Sequence, residues 1–190
     1  MAIVMLRVKT KIGIPLGCQV NQQTSSFLKS VHGLLKVKSV ARGKKVQKMR
    51  LDKTALIIIN AQNGLLNPTL GNRSNSDAEI NIGQLLRTWR NGSYPVIHIR
   101  HASNNPDSAF YVASRGFEFI TDLSPLKTEL IIDKSKSSAF TDTSLLTELT
   151  SRSIEAVVIT GFTADECIDA TARQASELHV GRVFDDVPRR

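Results

Sequence analysis

The sequence predicts an α/β protein in three layers (α/β/α), a parallel sheet sandwiched between helices. Three observations point to it. Apolar runs recur at residues 54–59, 94–99, 129–133 and 156–160, each the length of a strand and the first continuous enough to be covered on both faces. Stretches of helical periodicity alternate with these runs, which implies right-handed crossovers between parallel strands. Turn formers such as Asn91-Gly92 and Gly161 stand at the junctions.

The first strand is Thr54-Ala55-Leu56-Ile57-Ile58-Ile59. An amphipathic helix follows over 76–90, with Ile80, Ile82, Leu85, Leu86 and Trp89 on its apolar side. Asn91-Gly92 ends it, the glycine suited to a left-handed cap. Pro95 fits only the first position of the second strand, where His98 lies on the face opposite Ile97 and Ile99 and reads as a satisfied strand histidine. Residues 129–133 form the third strand and 143–151 a short helix, with Phe140 before it as core. The fourth strand, 156–160, leads through Gly161 into a helix over 165–178.

That last junction contains Cys167. Thr163-Ala164-Asp165-Glu166 fits the Ser/Thr-x-x-Glu capping box, which puts the thiol in the first turn of a helix at the carboxyl edge of the sheet. Unpaired backbone N–H groups and the positive end of the helix dipole favour a thiolate there. A buried cysteine acting as a small hydrophobe is the alternative. Ligands of parallel sheets collect beyond the carboxyl ends of the strands. Here those ends carry Asn60, Arg100 with His101, Lys134, and the turn from Gly161 to Cys167.

Charge divides the chain into a basic extension, residues 1–50, and one domain, residues 51–190. The extension holds 11 of the 25 Lys and Arg and none of the 17 acids, so the net +8 comes from it and not from the domain. An organelle-targeting segment, a basic arm for nucleic acid or anionic membrane, and upstream sequence ahead of a start at Met49 are three readings of it. Phe27 is its one aromatic residue, which disfavours base stacking. No apolar run approaches the roughly 18 residues of a membrane span. Two cysteines, Cys18 and Cys167, give no disulfide framework, and a reducing, cytoplasmic setting is expected. Four histidines without ligand spacing give no metal site, and no cofactor is expected: no Gly-x-Gly-x-x-Gly or P-loop is present.

Three separated motifs carry a family resemblance. The run from Thr54 to Ile59 with Asn60-Ala61-Gln62-Asn63 resembles the opening strand of the isochorismatase-like cysteine hydrolases, which usually ends Asp-x-Gln. Lys134-Ser135-Lys136-Ser137-Ser138-Ala139-Phe140 is similar to that family's lysine motif. Ile159-Thr160-Gly161-Phe162-Thr163-Ala164-Asp165-Glu166-Cys167-Ile168 is similar to its nucleophile segment, and Ala170-Thr171-Ala172 to the helix after it. The resemblance covers about residues 53–186.

It implies a cofactor-free hydrolase acting on small amides or ureides at a C–N bond through an Asp–Lys–Cys triad. Cys167 is then the nucleophile, Lys134 the ammonium beside it, and the N–H groups of Thr163 and Cys167 the oxyanion donors, with a cis peptide between Phe162 and Thr163. Gln62, Arg100 and His101 are candidates for substrate contact, with solvation of the pocket rim the other role for Arg100 and His101. A homo-oligomer is also implied.

Two departures stand out. Asn60 occupies the place of the triad Asp; an amide is able to hydrogen-bond Lys134 but not to take a proton from a thiol. A relative that binds a ligand or partner without turnover is therefore the alternative reading. The family's last strand–helix unit also reads as truncated, with only a stub of a fifth strand at 182–184, so a partner subunit or the basic extension is needed to cover the sheet edge.

Overall fold

The computed structural model describes residues 2–7, 50–67, 75–178 and 180. In chain order they form β1 (Ala2–Arg7), β2 (Thr54–Ile59), α1 (Ala78–Asn91), β3 (Val96–His101), β4 (Leu130–Lys134), α2 (Leu145–Ser151) and β5 (Ala156–Gly161). A π-type turn (Ala164–Ile168) then leads into α3 (Asp169–Glu177). The sheet runs β1-β5-β2-β3-β4, with β5, β2, β3 and β4 parallel and β1 antiparallel beside β5. The predicted α/β/α plan is therefore present.

Every residue of β2 and β5 is buried, because helices or loops cover both faces. Side chains alternate all the same. Ile57, Ile59, Val157 and Ile159 pack with Cys167, Ile168, Ala172 and Ala175 on one face. Leu56, Ile58 and Val158 pack with Ile82, Leu85, Leu86 and Trp89 on the other. Those four α1 residues recur at i, i+3, i+4 and i+7, the stripe a helix presents to a sheet. Ile80 falls outside that stripe and is 60% exposed, a correction to its predicted place on the apolar side.

The end of α1 also differs from expectation. Gly92 has φ −92°, and the left-handed conformation falls on Ser93 at φ 52°. A Cβ at 92 would lie 2.2 Å from the Tyr94 ring, so any larger residue there has to displace that side chain. At the sheet edge, β1 brings residues 2–7 of the basic extension alongside β5. The remainder of the extension, 8–49, and the expected stub at 182–184 lie outside the described residues.

At the amino ends of the strands a charge network ties α1 to the sheet. Arg90 makes a bidentate pair with Glu129 at 2.8 Å through each nitrogen, and His98 Nε2 lies 2.9 Å from the same carboxylate. Burial lowers the His98 pKa and Glu129 only partly offsets it, so the ring is neutral at pH 7 and donates Nε2–H. Burial would raise the Glu129 pKa, but bonds from Arg90, the Leu126 N–H and His98 outweigh it and hold the carboxyl at about 2, against 4.5 ordinarily. Both groups bind protons more readily when unfolded. Their contribution is thus intact above the ordinary histidine range and lost on acidification, the Glu129 part as pH falls from about 4.5 to about 2. Acid titration of Trp89 fluorescence should show this loss, and Glu129→Gln should flatten its lower part; an unchanged acid profile would count against the network.

Candidate active site

Parallel register brings the site together. His101 on β3 pairs with Lys134 on β4, so both side chains leave the same face of the sheet at its carboxyl edge. β5 ends at Gly161, and the chain returns through the π-type turn to place Cys167 over that face. Thr171 on α3 fixes the approach: its hydroxyl donates to the Cys167 carbonyl at 2.7 Å and accepts the Ala139 N–H at 3.0 Å. It thereby locks the turn that carries Cys167 to the Ser-Ala-Phe segment after β4, where Phe140 is buried in the core.

Lys134 is the hub. Only 2% exposed, its ammonium donates to the Lys136 carbonyl at 2.9 Å and to Cys167 Sγ at 3.3 Å, and lies 3.2 Å from His101 Nδ1. These three partners use all three donors of an ammonium. Burial lowers the His101 pKa, the Lys134 charge lowers it further, and Glu166 partly opposes both. The ring is therefore neutral near pH 7, and a neutral Nδ1 facing an ammonium must present its lone pair. Cys167 is 3% exposed and is not in a disulfide.

Asn60 ends β2 in a left-handed conformation, φ 54°, with its N–H on the Ile99 carbonyl at 2.8 Å. It is 2% exposed, and its Oδ1 accepts no hydrogen bond. The expected Lys134–Asn60 bond is thus not formed, because Lys136, His101 and Cys167 already take the three donors.

Gln62, a candidate for substrate contact, is fully buried, and its amide is turned to the backbone. Its Nε2 donates to the His101 and Phe117 carbonyls at 3.0 and 3.1 Å, and its Oε1 accepts the His101 N–H at 2.7 Å. The amide clamps the backbone of His101 on both sides. Arg100 points away from Lys134, forms a bidentate pair with Asp133 at 2.8 and 3.0 Å, and stacks on Phe117 at 3.9 Å. Alternation along β3 separates it from His101.

The Phe162–Thr163 peptide is cis. Phe162 is buried and its N–H donates to the Ile59 carbonyl, whereas Thr163 is exposed. The Thr163 carbonyl accepts from Ile168 N–H at 3.1 Å, the five-residue spacing of a π turn. The predicted capping box is therefore not formed: Glu166 instead accepts from Ser137 at 3.2 Å, and α3 begins only at Asp169. Cys167 lies within the π-type turn, ahead of α3.

Sequence reasoning missed the direct contact of His101 with Lys134 and the roles of Thr171 and the Lys136 carbonyl. Among the described residues no group of three or more His, Cys, Asp or Glu is placed to hold a metal, and no helix is long and apolar enough to cross a membrane. A polar cleft lined by Asp52, Arg90, Tyr94, Glu129 and Arg152 lies at the amino ends of the strands, away from this chemistry.

A parallel α/β sheet that brings a cysteine from the turn after β5 against a lysine at the carboxyl end of β4 has the make-up of a thiol-dependent enzyme site, and comparison with known proteins gives the family. The model of the isochorismatase domain matches residues 54–181. The uncharacterized isochorismatase family protein YrdC of Bacillus subtilis is 37% identical over 127 residues, 67% of this chain and 68% of its own. The crystal structure of an isochorismatase from Pseudomonas putida superposes with a TM-score of 0.60 at 29% identity, over 69% of this chain and 67% of that one. A cysteine hydrolase from Pseudomonas syringae pv. phaseolicola shares the fold, with a TM-score of 0.65 at 22% identity over 78% and 81% of the two chains. The chain belongs to the isochorismatase family of hydrolases.

Proposed function

We propose that the protein is a cofactor-free hydrolase that cleaves the C–N bond of a small amide or ureide through Cys167. The observation that carries this reading is the 3.3 Å contact of Cys167 Sγ with Lys134 Nζ. The sulfur attacks the substrate carbonyl, and the adjacent ammonium stabilises negative charge on it. The N–H groups of Thr163 and Cys167 receive the oxyanion, and stabilising that charge usually lowers the barrier to acyl transfer more than any other single effect. The acyl group passes to Cys167 as a thioester with departure of the amine, and water then releases the acid. A sulfur only 3% exposed suits a small acyl group. Asn60, in the place of the family's acid, offers an unpartnered buried acceptor to a substrate N–H. A homo-oligomer is part of the same proposal.

The test is iodoacetamide alkylation of Cys167 near neutral pH, with a parallel screen of small amides and ureides on wild type and Asn60→Asp. Alkylation far faster than that of a free thiol is expected, with turnover in the wild type. An inert Cys167 would overturn the reading. Turnover confined to Asn60→Asp would make the natural chain a binder without catalysis.

A further inference from the structure

The site holds a nucleophile and an ammonium, but Asn60 leaves it without the carboxylate that would take the thiol proton. Resting on the hydrolase reading, we infer that His101 fills this gap as the proton-holding partner of Lys134.

Four observations converge on it. His101 Nδ1 lies 3.2 Å from Lys134 Nζ, which in turn is 3.3 Å from Cys167 Sγ, so one ammonium bridges sulfur and imidazole. The two side chains are register partners on adjacent parallel strands, a fixed arrangement of the sheet. Gln62, fully buried, grips His101 through both its N–H and its carbonyl, and the Phe110 ring packs at 5.4 Å. No carboxylate bonds Lys134 among the described residues, so the imidazole is the one titratable acceptor the ammonium touches besides the sulfur.

The charged and titratable groups around the ring are Lys134 from β4 and Cys167 and Glu166 from the π-type turn; Arg100, next on β3, is turned to Asp133. Burial first and the Lys134 charge second keep the ring neutral at rest, and Glu166 opposes them in favour of the imidazolium.

The proton balance closes. Lys134 first passes a proton to His101 Nδ1, and as the S–C bond forms the amine so freed takes the thiol proton, leaving an imidazolium beside a restored ammonium. The proton returns through Lys134 to the departing nitrogen as the C–N bond breaks. Water attacking the thioester gives up its proton by the same route, and the sulfur recovers it when the S–C bond breaks. His101 meets Lys134 and not the substrate, so it is a positioning and proton-holding residue.

The test uses the full chain with iodoacetamide as probe. Nitrogen NMR of labelled histidine should show His101 neutral at pH 7 with Nδ1 bare and Nε2 protonated, and Lys134→Met should move its titration upward; an Nδ1–H tautomer overturns the inference without any variant. His101→Asn keeps an acceptor for the ammonium but no site for a proton. It should slow alkylation of Cys167 by about tenfold or more and remove the inflection that the wild-type rate shows at the His101 titration. Wild-type rate and inflection retained in His101→Asn overturn this role alone, whereas an inert wild-type Cys167 overturns the hydrolase reading beneath it.

Discussion

Lys134→Met should abolish most of the chemistry while leaving the fold at least as stable. The ammonium is 2% exposed and bonds a carbonyl, a sulfur and an imidazole rather than a carboxylate. Keeping a charge so deeply buried costs desolvation energy, and an apolar side chain of similar length removes that cost. For that reason a thermal midpoint equal to or above that of wild type is expected. Chemistry should respond in the opposite sense. Without the ammonium, Cys167 loses its electrostatic partner and His101 its link to the sulfur, and loss of assisted proton transfer commonly costs about 10²–10⁴-fold. Iodoacetamide kinetics and turnover of whichever amide the screen identifies would measure it. A variant that alkylates at the wild-type rate would remove Lys134 from the mechanism; one that unfolds would make it a structural residue first.

Gly161→Ala should be the most damaging small change to stability. Gly161 has φ 137°, a region L side chains rarely adopt. A Cβ there would lie 2.0 Å from the Ile59 carbonyl oxygen and 2.7 Å from the Ile59 nitrogen. Both are backbone atoms of the neighbouring strand, so no rotamer change relieves the clash. Either the pairing of β2 with β5 opens at that end or the turn toward Thr163 changes course. Backbone conflicts of this kind lie in the upper range of point-mutant effects, about 3 kcal/mol or more. For a chain of this size that lowers the thermal midpoint by roughly 6–12 °C. Calorimetry would decide it, and a midpoint within about 2 °C of wild type would show that the turn absorbs the methyl group. Because this turn carries Cys167, alkylation should slow as well.

The sheet was legible where both faces are covered. β2 matched the predicted strand residue for residue, since continuous burial makes an unbroken apolar run. Strand ends were legible as positions, which is why Lys134, His101 and Cys167 stood out from the sequence alone. Their mutual contacts were not, because register between β3 and β4 depends on a crossover through residues 102–129 that no local pattern encodes. Gln62 reads as an ordinary polar residue near a strand end; only the fold shows its amide matching two carbonyls and an N–H far along the chain. The capping-box pattern at 163–166 misled because Ser137, 29 residues away in sequence, takes the Glu166 carboxylate. β1 was hidden by the basic composition around it, although Ala2 to Leu6 is itself an apolar run.

Two histidines three positions apart on β3 face opposite ways. His98 joins the ion cluster at the amino end, and His101 joins the sulfur and ammonium at the other. The two rings share no charged partner: Glu129 and Arg90 act on His98, Lys134 and Glu166 on His101. Resistance to acid and reactivity of the thiol should therefore respond to different substitutions, the first to changes at Glu129 or Arg90 and the second to changes at His101 or Asn60.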